Sequence, residues 1–159
     1  MLLFFPLYAP PFFLYCNAIC VTGQSVILNI CEHGLAQRSI ANWISFEHMS
    51  DIGYYFTYGQ QGATTVTDAE KLWEKSPLRY APNCTTPTLF IGAENDYCCP
   101  IAESYSMFTA LKKAGCESKM VIFHGESHGL STSGKPRNRI RLMEEILGWM
   151  DKYLKLEQL

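Results

Sequence analysis

TLFIGAENDYCCPIAESYSMFTALKKAGCESKMVIFHGESHG, residues 88–129, is the stretch that decides the fold. It holds two short apolar runs, Thr88 to Gly92 and Lys119 to His124, both rich in β-formers. Pro87 precedes the first run and a Gly-Cys-Glu-Ser turn precedes the second. Runs of this length without polar alternation suit central strands of a parallel sheet covered on both faces. Between them Ile101, Tyr105, Phe108 and Leu111 recur at helical spacing, with Pro100 in the first turn and Gly115 as the stop. The unit is strand, helix, strand, for which a right-handed crossover is nearly obligatory.

Working outward, a last helix is expected from about Arg137 to Leu156, burying Ile140, Met143, Leu147, Met150 and Leu154. Upstream, Thr67-Asp68-Ala69-Glu70 has the capping-box pattern and predicts a short helix through Trp73. The aromatic segment Asn42 to Tyr58 has weak periodicity and reads as irregular structure around a pocket. The expected architecture is α/β, a parallel sheet covered by helices.

In open α/β sheets, functional groups collect on loops beyond the carboxyl ends of the strands. The loop after TLFIG carries Asp96 just ahead of a helix, and the loop after KMVIFH carries His128 between small residues. Adjacent parallel strands bring these loops together. An acid that orients an imidazole is half of a nucleophilic triad, and Asp before His is the α/β-hydrolase chain order. Against this stand two ordinary readings: an aspartate ahead of a helix is a cap, and a loop histidine is solvated. No metal site is expected. His124 and His128 lie four apart, but His-Gly-Glu-Ser-His matches neither H-E-x-x-H nor its inverse. Zinc held by Cys98, Cys99 and the two histidines needs unusual ligand spacings.

Composition narrows the class. With 48% apolar and 18% charged residues the chain is globular, and a net charge of −2 gives no electrostatic case for nucleic acid. Lys135, Arg137, Arg139 and Arg141 read as a solvated face. Seven cysteines, two of them adjacent, lack the spacing of a secreted disulfide framework, so a reducing, cytoplasmic setting is expected. Residues 1–35 form an atypical apolar N-terminal segment. Its Pro6, Pro10 and Pro11 argue against a membrane-spanning helix, which needs about 20 apolar residues.

From Ala36 onward (residues 36–159) the sequence resembles the C-terminal part of the catalytic domain of prolyl oligopeptidase family serine peptidases, acylaminoacyl-peptidase-like members above all. The resemblance is carried by AQRSIANWISF, SDIGYYFT, SPLRYAPNCTTPTLFIGAENDYCCP and FHGESHGLSTSGKPRNRI. It implies an α/β-hydrolase fold, truncated here, and a Ser-Asp-His acyl-enzyme mechanism on peptides with no cofactor. Asp96 would be the acid and His128 the base, with Trp43, Phe46 and Tyr54 lining an apolar subsite. Cys98 stands where the family often has a basic residue, two places after the acid.

The nucleophile is where the pattern breaks. The family places it in a Gly-x-Ser-x-Gly elbow; here Gly23 and Ser25 are in register but the second glycine is Ile27. A β-branched residue fits a tight elbow poorly. Two readings therefore stand: a serine peptidase, or a noncatalytic remnant or interaction module. The second would expose sheet surface to another copy of the chain or to a complementing N-terminal fragment.

Overall fold

The computed structural model describes residues 34–154. Three parallel strands form the sheet in the order β1 (Gly34–Gln37), β2 (Thr88–Ala93), β3 (Ser118–Phe123). Five helical pieces lie between β1 and β2: α1 (Trp43–Met49), α2 (Gly53–Gln61), α3 (Thr65–Lys75), α4 (Pro77–Tyr80) and a 3₁₀ turn (Ala81–Asn83). Helix α5 (Ile101–Lys113) joins β2 to β3; α6 (Leu130–Ser133) and α7 (Pro136–Leu154) follow.

Strand β2 is buried along its whole length, as its uninterrupted apolar run predicts. Its period-2 alternation sends Leu89, Ile91 and Ala93 into one core with Leu35, Phe123, Leu142 and Trp149. Phe90 faces the other core, with Ala36, Met107, Leu111, Cys84 and Cys116. Helix α5 covers that second side and α7 the first. Strand β1 is too short, and GLAQ too poor in β-formers, to read as a strand from sequence.

Asn42 to Tyr58 is not irregular: it builds most of α1 and α2. The N-terminal donors of α1 are satisfied individually. Asn42 Oδ1 accepts from the Ile44 N–H at 3.0 Å, Ser76 Oγ from Trp43 at 2.9 Å, and Glu103 Oε2 from Ala41 and Asn42 at 2.9 and 2.8 Å. Trp43, Phe46 and Phe56 then stack in a third core with Ile40, Leu72 and Cys99. Helix α3 begins earlier than expected. Its capping box is Thr64 with Thr67, and Asp68 is a kink residue whose Oδ1 caps the Lys71 N–H at 3.0 Å.

The α1–α2 junction depends on one glycine. A Cβ on Gly53 would lie 2.4 Å from the Glu47 carbonyl oxygen and 2.5 Å from that of Phe46. Neither backbone oxygen can yield without unwinding α1. Gly53→Ala is expected to lower stability by about 1–3 kcal/mol, read as a shifted urea midpoint at unchanged slope. An unchanged midpoint would show that the junction relaxes freely.

The buried face of α7 differs from the expected stripe. Leu142 and Trp149 are buried, with Ile146, Met150 and Tyr153 packed beside them, whereas Ile140, Met143 and Leu147 are exposed. A charge explains part of the choice. Glu145 occupies a buried position because Lys119 of β3 meets it at 2.6 Å and Arg141 pairs with it from one turn earlier. The Lys119 hydrogen bond, above all, lowers the Glu145 pKa. Trp149 Nε1 also donates to the Gly34 carbonyl at 3.1 Å, fixing the helix's rotation against β1. No helix among the described residues is long and apolar enough to cross a membrane.

Candidate active site

The carboxyl ends of all three strands converge on one shallow recess, open to solvent. Gln37 and Arg38 enter it from β1, Asp96 and Cys99 from the loop after β2, and Ser127 and His128 from the loop after β3.

Parallel pairing sets the spacing of the two loops. Gly92 sits opposite Ile122 and Ala93 opposite Phe123, so both loops leave the sheet at one level. They are then stitched together. Glu94 N–H donates to the Phe123 carbonyl at 3.1 Å and Asn95 N–H to that of Glu126 at 2.8 Å. Glu94 Oε2 accepts from the Gly125 N–H at 2.9 Å, and this bond is the main reason its pKa is lowered, with His124 adding to it. Gly125 has φ +68°, a left-handed conformation that glycine takes at little cost. The turn so formed delivers His128.

His128 Nδ1 lies 3.1 Å from Asp96 Oδ1 and 3.0 Å from Oδ2. The carboxylate is buried, whereas the imidazole is about one-third exposed. Asp96 Oδ1 also accepts the backbone N–H groups of Cys98 at 3.0 Å and Cys99 at 2.7 Å. One carboxylate thus caps its own loop and holds the ring. Both ordinary expectations for these residues are part of the geometry: the aspartate is a cap, and the histidine reaches solvent. Below the loop, Ser50 Oγ donates to the Cys98 carbonyl at 2.7 Å and Asp51 N–H to that of Tyr97 at 2.9 Å. The α1–α2 pair is its footing.

Trp43 and Phe46 are wholly buried, in the same core as Cys99, and Tyr54 is exposed. None of the three lines the recess. His124 points elsewhere, 80% exposed beside Glu94. Cys98, Cys99 and His128, in contrast, bring their donor atoms together despite their sequence spacing. Gly23, Ser25 and Ile27 lie outside the described residues.

Sequence reasoning passed over Gln37 and Arg38. Arg38 is the one non-glycine among the described residues with positive φ, 56°. Its Nη2 donates to Ser131 Oγ at 2.9 Å, while its Nε, like Gln37 Nε2 and Ser39 Oγ, is buried without a hydrogen-bond partner. Each such orphan costs about 1–3 kcal/mol. The one available signal was position: they follow a strand too short to be read as one.

Sheet order, parallel sense and the acid and imidazole on consecutive post-strand loops define an α/β-hydrolase fold. The chain superposes on the acylaminoacyl peptidase of Pyrococcus horikoshii with a TM-score of 0.76 at 30% identity, over 82% of this chain and 21% of that one. It belongs to the prolyl oligopeptidase family, whose sequence model matches residues 29–157. Among curated relatives, the uncharacterized peptidase YuxL of Bacillus subtilis (strain 168) is 46% identical over 134 residues, 84% of this chain and 20% of that protein. The acylamino-acid-releasing enzyme of Arabidopsis thaliana is 29% identical over 76% of this chain and 16% of its own length. The chain therefore spans about a fifth or less of the length of these relatives.

Proposed function

We propose that this chain carries the acid–base half of a serine-peptidase active site acting on peptides through an acyl-enzyme. The carrying observation is the His128 Nδ1 contact with both oxygens of a buried Asp96. A carboxylate there favours the tautomer with hydrogen on Nδ1, leaving Nε2 to take a proton from a serine and return it to the leaving amine. Asp96 steadies the imidazolium that forms. The serine attacks the scissile carbonyl, the amine leaves protonated, and water, deprotonated by His128, releases the acyl group. The buried donors of Gln37 and Arg38 support an arrangement in which a further polar group seats beside the imidazole.

Tyr54 is the member of the aromatic trio exposed enough to touch a substrate. Trp43 and Phe46 act from behind, in the core shared with Cys99. Cys84 and Cys116 are free cysteines in the core, which supports a reducing, cytoplasmic setting. Ser25, or a serine on a complementing N-terminal fragment, is the proposed nucleophile.

The test is labelling with a fluorophosphonate probe, located by mass spectrometry, beside Ser25→Ala and His128→Ala. Label on Ser25 in the parent and in neither variant is expected of a self-sufficient hydrolase. Label that survives His128→Ala undiminished removes the base role. A folded but unlabelled protein supports the noncatalytic reading, and addition of a segment carrying Gly-x-Ser-x-Gly then asks whether the pair can be completed.

A further inference from the structure

Two thiols that acyl transfer does not use lie next to His128. One donor atom from each of Cys98, Cys99 and His128 lies within 4.8 Å of the other two. The clustering is imposed by the backbone: Asp96 Oδ1 accepts both cysteine N–H groups while also holding the imidazole, and Ser50 fixes the Cys98 carbonyl from below. Burial in the Trp43 and Phe46 core accounts for Cys99 as a small hydrophobe, but not for Cys98, which is only half-buried.

We propose that Cys98, Cys99 and His128 form a binding site for a thiophilic divalent cation such as zinc, and that its occupation withdraws His128 from proton transfer. The metal site stands on geometry alone. Its consequence for catalysis rests on the function proposed above. Two thiolates and a neutral imidazole are a donor set zinc accepts, with metal–ligand bonds of about 2.0–2.3 Å. In a tetrahedral site those bonds place neighbouring donors roughly 3.5–3.8 Å apart, so side-chain rotation suffices to close the cluster. A fourth position is left for water. Each thiol gives up its proton on binding, two in all, and both go to solvent. If the cation takes the outer imidazole nitrogen it blocks the atom that would accept the serine proton. If it takes Nδ1 it displaces the Asp96 bond. Either way His128 is withdrawn from proton transfer.

The experiment titrates the full chain with Zn²⁺ against a chromophoric chelator, and with Co²⁺ read by its thiolate charge-transfer absorption. Cys16, Cys20 and Cys31 are replaced by serine throughout, and far-UV circular dichroism checks folding. One equivalent of zinc is expected. Cys98→Ser and His128→Gln should each weaken binding about 100-fold or more, beyond the 10–100-fold typical of losing an outer-shell partner. Cys84→Ser, in the core on the α5 side of the sheet, should bind as the parent does. Carbethoxylation of His128 by diethyl pyrocarbonate, located by mass spectrometry, should be suppressed by zinc whether or not the protein hydrolyses anything. No zinc bound, or affinity in Cys98→Ser equal to the parent's, overturns the site. Undiminished carbethoxylation overturns the withdrawal of His128. Fluorophosphonate reactivity is measured separately on metal-free protein, so loss of the peptidase reading leaves the metal result intact.

Discussion

On the proposed function, Asp96→Asn is expected to lower the turnover number for peptide hydrolysis about 10⁴-fold, with little change in KM. The reason lies in how many donors one oxygen serves. Asp96 Oδ1 accepts from Cys98, Cys99 and the imidazole, and Oδ2 meets the imidazole as well. An asparagine keeps one acceptor, and the two cysteine N–H groups claim it, since they are fixed by the turn. Its amide NH₂ then faces Nδ1. The ring answers by carrying its hydrogen on the other nitrogen, where it cannot accept a proton from serine. The loop stays capped, so thermal unfolding should move little. Turnover within tenfold of the parent would mean that Asp96 serves only as a cap.

Glu103 carries the second large effect. Glu103→Ala should cost roughly 2–6 kcal/mol, about 1–3 for each backbone N–H left buried and unpaired. The carboxylate lies in the first turn of α5 yet reaches the start of α1. It accepts Ala41 and Asn42 N–H on Oε2 and the Ser45 hydroxyl on Oε1 at 2.6 Å. Burial raises its pKa, and the bonds from Ser45, Asn42 and Ala41 partly oppose that rise. The sign of the linkage follows. With a folded pKa above the unfolded value, this group's contribution is full below the unfolded pKa, about 4.3, and is lost as pH rises through the folded one. Glu103→Gln keeps an acceptor for the two N–H groups and cannot ionise. Its stability, by urea denaturation from acid to neutral pH, should fall less with pH than the parent's. Parallel pH profiles would place the titrating group elsewhere, and a Glu103→Ala loss below 1 kcal/mol would show that water replaces the carboxylate.

The two strands and crossover helix were legible because their signals are local. TLFIG and KMVIFH are apolar runs whose length excludes a helix, and Ile101 to Leu111 has a period that excludes a strand. Asp96 and His128 were legible for a related reason, since the carboxyl end of a parallel strand is where loops carry chemistry. Helix α7 shows where local reading ends. Its sequence offers two apolar stripes, and periodicity cannot choose between Ile140, Met143, Leu147 and Leu142, Ile146, Trp149. The choice was made by partners distant in sequence, Lys119 for Glu145 and the Gly34 carbonyl for Trp149. Helix α1 was missed likewise, because the groups that satisfy its N-terminal donors, Ser76 and Glu103, lie 33 and 61 or more residues away.

The sequence by itself determined the α/β order, the parallel sense of the sheet, and the presence of an acid and a base on successive loops. These depend on hydrophobic period and chain direction, which are properties of contiguous residues. Tertiary structure alone decided which helix faces are buried, that Trp43 and Phe46 are core, and that Arg38, at positive φ, lines the same recess as His128. It also decided that Cys98 and Cys99 turn toward His128. Those outcomes depend on where unpaired donors and buried charges find partners, and such partners are neighbours only after the chain has folded.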